Sequence, residues 1–311
     1  MKLHNKAVEL LDGAMTALAQ EDLLGAGHLL GSDLTALFCE AENRGAGAQL
    51  FATVSRHEIF PYLMLDPFTR RAFEKPRGYA GDAVMLDYIY RPNAVTLDGL
   101  AKTSHEFTTQ GPTGLSIKFR RTLLSAYLTQ ISTTVKNARI LSVASGHCRE
   151  LDEWKNVNQA IEFVALDQDS ESCAHVLDSY GASWLSVKQE SVTKLLSQKF
   201  VLGTFDFIYS AGLYDYLGDP MAKALTKSLV ERLRPGGVLL IANFVPSTDG
   251  RAYMELVMQW KLQWRTKENL VAVFPENLQK DISVFLDPHE NVAYAIWKKP
   301  KYQLVACASA N

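Results

Sequence analysis

Arg139-Ile-Leu-Ser-Val-Ala-Ser-Gly-His-Cys-Arg-Glu150 decides the fold of this chain. A short β-branched and apolar run from Arg139 to Ala144 passes into small residues and then into polar ones, the pattern of a buried strand ending in a tight turn. About twenty residues later Glu162 to Asp167 repeats the strand pattern, and Trp184 to Val187, Phe205 to Ser210 and Val238 to Val245 follow at intervals long enough for helices. Such alternation predicts a parallel sheet. Between the fourth and fifth runs, Asp219-Pro220 reads as a helix N-cap followed by proline at the first helical position, and Arg234-Pro-Gly-Gly237 as the end of that helix. Ile282 to Leu286 and Val292 to Trp297, joined around Pro288 to Asn291, predict a closing antiparallel hairpin. The fold class is therefore α/β: a Rossmann-like sheet of five parallel strands with a C-terminal antiparallel hairpin.

The chain before this region has a different texture. Val8, Leu11, Met15 and Leu18 recur at helical spacing, and Leu34, Leu37 and Phe38 continue it. Gly45-Ala-Gly47 breaks one helical stretch, Pro61, Pro67 and Pro76 punctuate the next, and residues 114 to 135 form a longer helix. The expected organisation is a helical N-terminal domain over 1–135, serving as substrate or lid domain, and a ligand-binding α/β domain over 136–311.

Composition narrows the partners. A net charge of -2 gives no field that gathers nucleic acid, and 47% hydrophobic against 21% charged residues is ordinary for a globular protein with real cores. The first turns mix Lys2, His4, Lys6 and Glu9, unlike a secretory signal, and no apolar run approaches ~18 residues, so a cytoplasmic location without membrane insertion is expected. Cys39, Cys148, Cys173 and Cys307 are far apart, which suggests reduced structural thiols and neither a metal site nor a disulfide framework.

In open parallel sheets ligands sit beyond the carboxyl ends of the strands, which makes the Ala144-Ser145-Gly146 turn a ligand site by position. The helix expected after it would offer free N–H groups to a carboxylate. Asp167, ending the second run, is placed to accept hydrogen bonds from both hydroxyls of a ribose, with Gln168 beside it and Asp169 as the alternative acceptor or as cap of a helix starting near Ser170. A dinucleotide site would need Gly-x-Gly-x-x-Gly, and Arg149 stands where the third glycine belongs. That favours S-adenosyl-L-methionine over a pyrophosphate cofactor. Gln189, Glu190 and Ser191 fall where adenine would lie, or form a plain polar loop, and Ser210 and Ala211 open a loop running to Leu217 at which a methyl group would meet its acceptor. Tyr214, Asp215 and Tyr216 in that loop either shape the pocket or pack the core.

Taken together, Ala144 to Glu150, Ala165 to Asp169, Gly212-Leu-Tyr-Asp-Tyr-Leu217, Lys75-Pro-Arg-Gly-Tyr-Ala-Gly-Asp82 and Trp260-Lys-Leu-Gln-Trp-Arg-Thr266 resemble the bacterial methyltransferases of 3-hydroxypalmitic acid methyl ester synthesis, a quorum-signal family. The resemblance runs from roughly residue 70 to the end, and Lys75 to Asp82 is its most specific element. It departs from the general methyltransferase pattern at Ala144, where glycine is expected; a methyl group fits there if the residue needs no positive φ. The resemblance implies that the N-terminal domain covers the active site, with Arg77, Gly78, Tyr79 and Asp82 near the cofactor or the acceptor.

The expected activity is methylation of a small molecule, a fatty-acid-like carboxylate first and an amine or hydroxyl of a secondary metabolite as the alternative. A non-catalytic S-adenosyl-L-methionine sensor or scaffold is the remaining class. A carboxylate acceptor needs no base, only a cation such as Arg77, Arg120 or Arg121 and a tyrosine donor, so Tyr79, Arg77 and Tyr214 are the expected catalytic residues. An amine or phenol would require a base, for which His105, His147 and Asp215 are the candidates.

Overall fold

The structure, a computed structural model, describes residues 2–154, 161–197 and 199–301. Cys307 lies outside them. The chain divides into two compact units. One comprises residues 1–121 with 244–264 and 286–292; the other comprises 122–243 with 265–285 and 293–311.

The second unit is built on a seven-stranded sheet, β1 (Arg139–Val143), β2 (Glu162–Asp167), β3 (Leu185–Gln189), β4 (Phe205–Ser210), β5 (Leu233–Phe244), β6 (Ser283–Leu286) and β7 (Val292–Lys298). Their order is β3-β2-β1-β4-β5-β7-β6. The pairs β1–β2, β2–β3, β1–β4 and β4–β5 are parallel. Reciprocal bonds between Gly236, Gly237 and Lys299, and the Val245 amide on the Asn291 carbonyl, run β7 antiparallel to β5. The central strands are apolar without alternation because both faces are covered: Phe163, Val164, Ala165 and Leu166 are all buried, as are Phe207, Ile208 and Tyr209. The sheet reverses direction of growth between β1 and β4, and a crevice at such a switch point is where open α/β sheets bind ligands.

Two local expectations are corrected. Arg234-Pro-Gly-Gly237 does not end the preceding helix; it lies inside β5, where Phe205 pairs with Leu233 but Phe207 pairs with Val238. Gly236, at φ +82°, lets the extra residues bulge without breaking the strand. The helix before it, Asp219–Glu231, takes Gly218 as its N-cap, so Asp219 is its first residue and Pro220 its second.

In the helical unit, the helix Lys2–Ala19 buries Ala7, Leu11, Ala14 and Leu18 on one face, against a core that includes Leu30, Leu34, Leu50 and Val54. The glycine break falls as expected, between the helices Leu34–Asn43 and Gly47–Arg56. Pro67 opens the helix Pro67–Glu74, which Asp66 caps by accepting from the Phe68 and Thr69 amides at 3.0 and 3.1 Å. Residues 244–264 complete this core from far along the chain, with Tyr253 donating to or accepting from Thr69 at 2.9 Å. Among the described residues no helix is long and apolar enough to cross a membrane.

Candidate active site

The turn after β1 is locked by its own backbone. Ser145 donates its amide to the Leu166 carbonyl at 3.1 Å, and Cys148 donates to Ser145 at 3.1 Å. Ala144, Gly146 and Cys148 all take left-handed conformations, with φ of +55°, +53° and +50°. Ala144 therefore does sit at positive φ, the condition under which a methyl group costs strain rather than fitting freely. The segment that follows is also not the α-helix expected from the sequence. It is a single 3-10 turn, Arg149–Asp152, with Arg149, Glu150 and Leu151 buried.

Asp167 ties this turn to β2. Its carboxylate accepts from the Gly146 amide at 2.8 Å and from the Asp169 amide at 2.9 Å, with the side chain only 8% exposed. Burial pushes its pKa up, while the backbone donors of Asp169, Gly146 and Gln168 pull against that shift. A carboxylate offers about four acceptor positions, so capacity remains for an incoming hydroxyl. Asp169 acts as the cap of the helix Ser170–Tyr180, accepting from the Glu171 amide at 3.2 Å and the Ser172 hydroxyl at 2.6 Å.

Parallel register brings the other expected cofactor residues to the same edge. Asp167 pairs with Gln189 at the end of β3, and the Glu190 amide donates to the Asp167 carbonyl at 2.9 Å. Ser191 caps the short turn Val192–Leu196 through the Thr193 amide. Ser210, fully buried at the end of β4, donates to the Val143 carbonyl at 3.1 Å, which fixes the β4 end against the β1 end. Gln168 and Gln189 are exposed, whereas Ala144, Ser145, Gly146 and Ala211 are half-buried.

Tyr214 is fully buried, its hydroxyl 2.8 Å from that of Thr226, and burial drives its pKa far up. The side chain packs the interior of this unit, as the core-packing alternative requires. Asp215 is buried and Tyr216 is 37% exposed.

Two features beside this edge were not anticipated. Glu150 is buried and accepts a hydrogen bond from the Tyr209 hydroxyl, whose pKa rises through burial and the neighbouring carboxylate. Arg265 is 2% exposed and donates to the Tyr214 carbonyl at 2.6 Å, to Asn243 Oδ1 at 2.8 Å and to Asp219 at 2.8 Å, so it clamps the loop after β4 to β5. A lone arginine within the aromatic Trp260 to Thr266 segment was the available signal.

The helical unit holds the remaining candidates. Arg77 and Tyr79 are half-buried on the Lys75 to Asp82 turn, where Lys75, Gly78 and Gly81 take positive φ. Asp82, 1% exposed, accepts from Arg71 Nε at 2.8 and 3.0 Å and from the Met85 amide at 2.8 Å, which makes it the cap of the helix Ala83–Tyr90. Arg120 reaches the Tyr90 hydroxyl at 3.4 Å, and the Arg121 guanidinium lies 5.2 Å from the centre of the same ring. His105, 4% exposed, sets Nδ1 2.8 Å from Asp66, and its Nε2 has no hydrogen-bond partner among the described residues. In the α/β unit His147 is buried and stacks on His175 with ring centres 4.0 Å apart.

No protein-family model and no curated protein matches this chain. Among solved structures, a possible exported protein from Bordetella parapertussis is 18% identical, with a TM-score of 0.58 over 94% of this chain and 97% of its own. The CurJ carbon methyltransferase is 13% identical, with a TM-score of 0.51 over 96% of this chain and 91% of its own. The fold is the Rossmann-like class I methyltransferase fold. N-methyltransferase NodS from Bradyrhizobium japonicum, in complex with S-adenosyl-L-homocysteine, matches 57% of this chain and 86% of its own at 14% identity and a TM-score of 0.41.

Proposed function

We infer that this chain is a methyltransferase that binds S-adenosyl-L-methionine beyond the carboxyl ends of β1 to β4 and methylates a small molecule. The observation that carries this is Asp167: a buried carboxylate at the end of β2, held by two backbone amides and retaining acceptor capacity. Its two ribose hydrogen bonds would fix the cofactor, with Ala144, Ser145 and Gly146 beside the methionine end. Gln168 and the Gln189-Glu190-Ser191 segment would face the nucleoside, and Ser210 and Ala211 the transferable methyl group.

When bound, the cofactor supplies a methyl group on a sulfonium, open to in-line attack. The protein's own contribution would then be to align the acceptor with that methyl group and keep water out. Ester formation on a fatty carboxylate, the activity implied by the resemblance to the quorum-signal family, would rest on Arg77 and Tyr79 as cation and donor. Tyr214 is left out of this set, because its hydroxyl is engaged with Thr226.

N- or O-methylation is the second reading, and it is favoured by His105. A buried Asp66 holds one ring nitrogen at 2.8 Å while the other lacks a partner among the described residues, so that nitrogen would be open to an acceptor brought within hydrogen-bond reach. The test is incubation with methyl-labelled S-adenosyl-L-methionine and a pool of 3-hydroxy fatty acids, amines and phenols, followed by mild alkali. Volatile label means an ester; alkali-stable label means N- or O-methylation. Cofactor binding without any labelled product from a broad pool would overturn the enzyme reading in favour of a sensor.

A further inference from the structure

The helical unit contains a cavity of about 650 Å³ that the cofactor site does not use. That volume falls within the roughly 300–1,000 Å³ of small-ligand sites. Its inner wall is apolar and buried: Phe68, Tyr253, Met254, Met258 and Trp260 are each under 5% exposed. Its mouth is apolar too, because Leu23, Leu24 and Leu115 line it and are 37%, 89% and 37% exposed. Exposed leucines gathered at the opening of a buried apolar chamber mark a binding surface more than a folding requirement.

The backbone supplies an independent sign. Two π-helical segments occur in this unit, His28–Asp33 and Tyr253–Val257, and both contribute to the cavity lining. Fewer than about 1% of residues adopt this conformation, and where it interrupts α-helices it concentrates at functional sites. Here it falls twice on one chamber.

Charge decides what the chamber accepts. Glu106 and Asp249 both line it, and no lysine or arginine does. The lining also holds His28, which stands 3.5 Å from Asp33, and Glu106 stands 4.0 Å from Lys102, so Asp249 is the carboxylate of the lining with no basic partner within 4 Å among the described residues. A carboxylate ligand would meet two like charges and no lysine or arginine of the lining, whereas a protonated amine would meet Asp249 and Glu106 beside an apolar chamber for its hydrocarbon part. We propose that this cavity binds a small apolar amine, its hydrocarbon chain along Phe68, Met254 and Trp260 and its ammonium group near Glu106 and Asp249. Binding stands on the helical unit alone; that the bound amine is also the methyl acceptor rests on the function proposed above.

The test is isothermal titration of the full-length protein, without cofactor, with decylamine, decanol and decanoate below their micellar concentrations. Decylamine is expected to bind at least tenfold more tightly than decanoate. The double variant Glu106→Gln with Asp249→Asn should lose about tenfold in decylamine affinity while decanol affinity stays level. Gly27 lines the cavity in helical conformation, and a side chain there would meet no atom within 4 Å of its Cβ, so Gly27→Phe should fill the space without strain and abolish binding of both ligands. Decanoate binding as tightly as decylamine would overturn the charge assignment, and unchanged binding to Gly27→Phe would overturn the location. Adding labelled S-adenosyl-L-methionine then separates the two claims, since an amine that binds but is never methylated leaves the site standing and removes only its role as acceptor.

Discussion

Replacing Asp167 with alanine separates two jobs that one carboxylate performs. In the free protein it accepts from the Gly146 and Asp169 amides at 2.8 and 2.9 Å. Leaving those donors without partners costs about 1–3 kcal/mol each, partly offset because a carboxylate already disfavoured by burial no longer has to be desolvated. A net stability loss of about 1–3 kcal/mol is expected. The loss of cofactor affinity should be larger: two hydroxyl-to-carboxylate bonds are together worth about 3 kcal/mol or more, which is about a hundredfold in Kd. Titration calorimetry with S-adenosyl-L-homocysteine measures it, with urea unfolding run beside it to show that the variant is folded. Asp169→Ala is the control, since it removes the cap on the Glu171 amide and the Ser172 hydroxyl, worth about 1 kcal/mol of stability, and should leave affinity within about threefold of the natural chain. A folded Asp167→Ala protein that binds within about threefold of the natural chain would refute the ribose assignment.

Three further outcomes follow from the same geometry. Ala144→Gly should raise stability by about 0.5–1 kcal/mol in urea unfolding, because glycine accepts a φ of +55° without the strain alanine carries; a destabilised variant would mean that the methyl group packs favourably. Cofactor affinity should fall as pH drops through the raised pKa of Asp167, by up to tenfold per unit, since the ribose hydroxyls need the ionised form. The fall should begin at a higher pH than the ordinary aspartate value of about 3.9, and by linkage the same raised pKa makes this residue's contribution to folding stability decrease as pH rises through that window. Arg265→Met should cost about 3 kcal/mol in urea, because the Asn243 and Tyr214 acceptors lose a buried charged donor, and a loss under about 1 kcal/mol would show that the loop after β4 is held by other contacts.

How far the sequence discloses this molecule depends on the range over which each feature is determined. β2 and β4 run residue for residue as their apolar composition predicts, because burial on both faces leaves no alternative for Phe163 to Leu166 or Phe207 to Tyr209. The Asp167 position was legible for the same reason, being the first acid after such a run. β5 was misjudged at its start: Pro235 and two glycines argue locally for a turn, and only pairing with β4 and Lys299 draws them into the strand as a bulge. The left-handed Ala144 was hidden because alanine carries no sign of positive φ, and the bond from Ser145 to Leu166 that fixes the turn comes from another strand. The Glu150–Tyr209 pair, the reach of Arg265 and the apolar cavity all join segments far apart in sequence, where periodicity carries no information.

The helical unit takes its last pieces from residues 244–264 and 286–292. During synthesis, therefore, residues 1–121 leave the ribosome without Tyr253, Met254, Met258 and Trp260, the side chains that line the cavity together with Phe68. Until residues 244–264 have emerged, this apolar surface must stay wet or be shielded by a chaperone, and a gene truncated after the first α/β strands would yield a sticky fragment instead of a smaller working domain. The interleaved division of the chain thus obliges the helical unit to close only after the central strands of the sheet have been made.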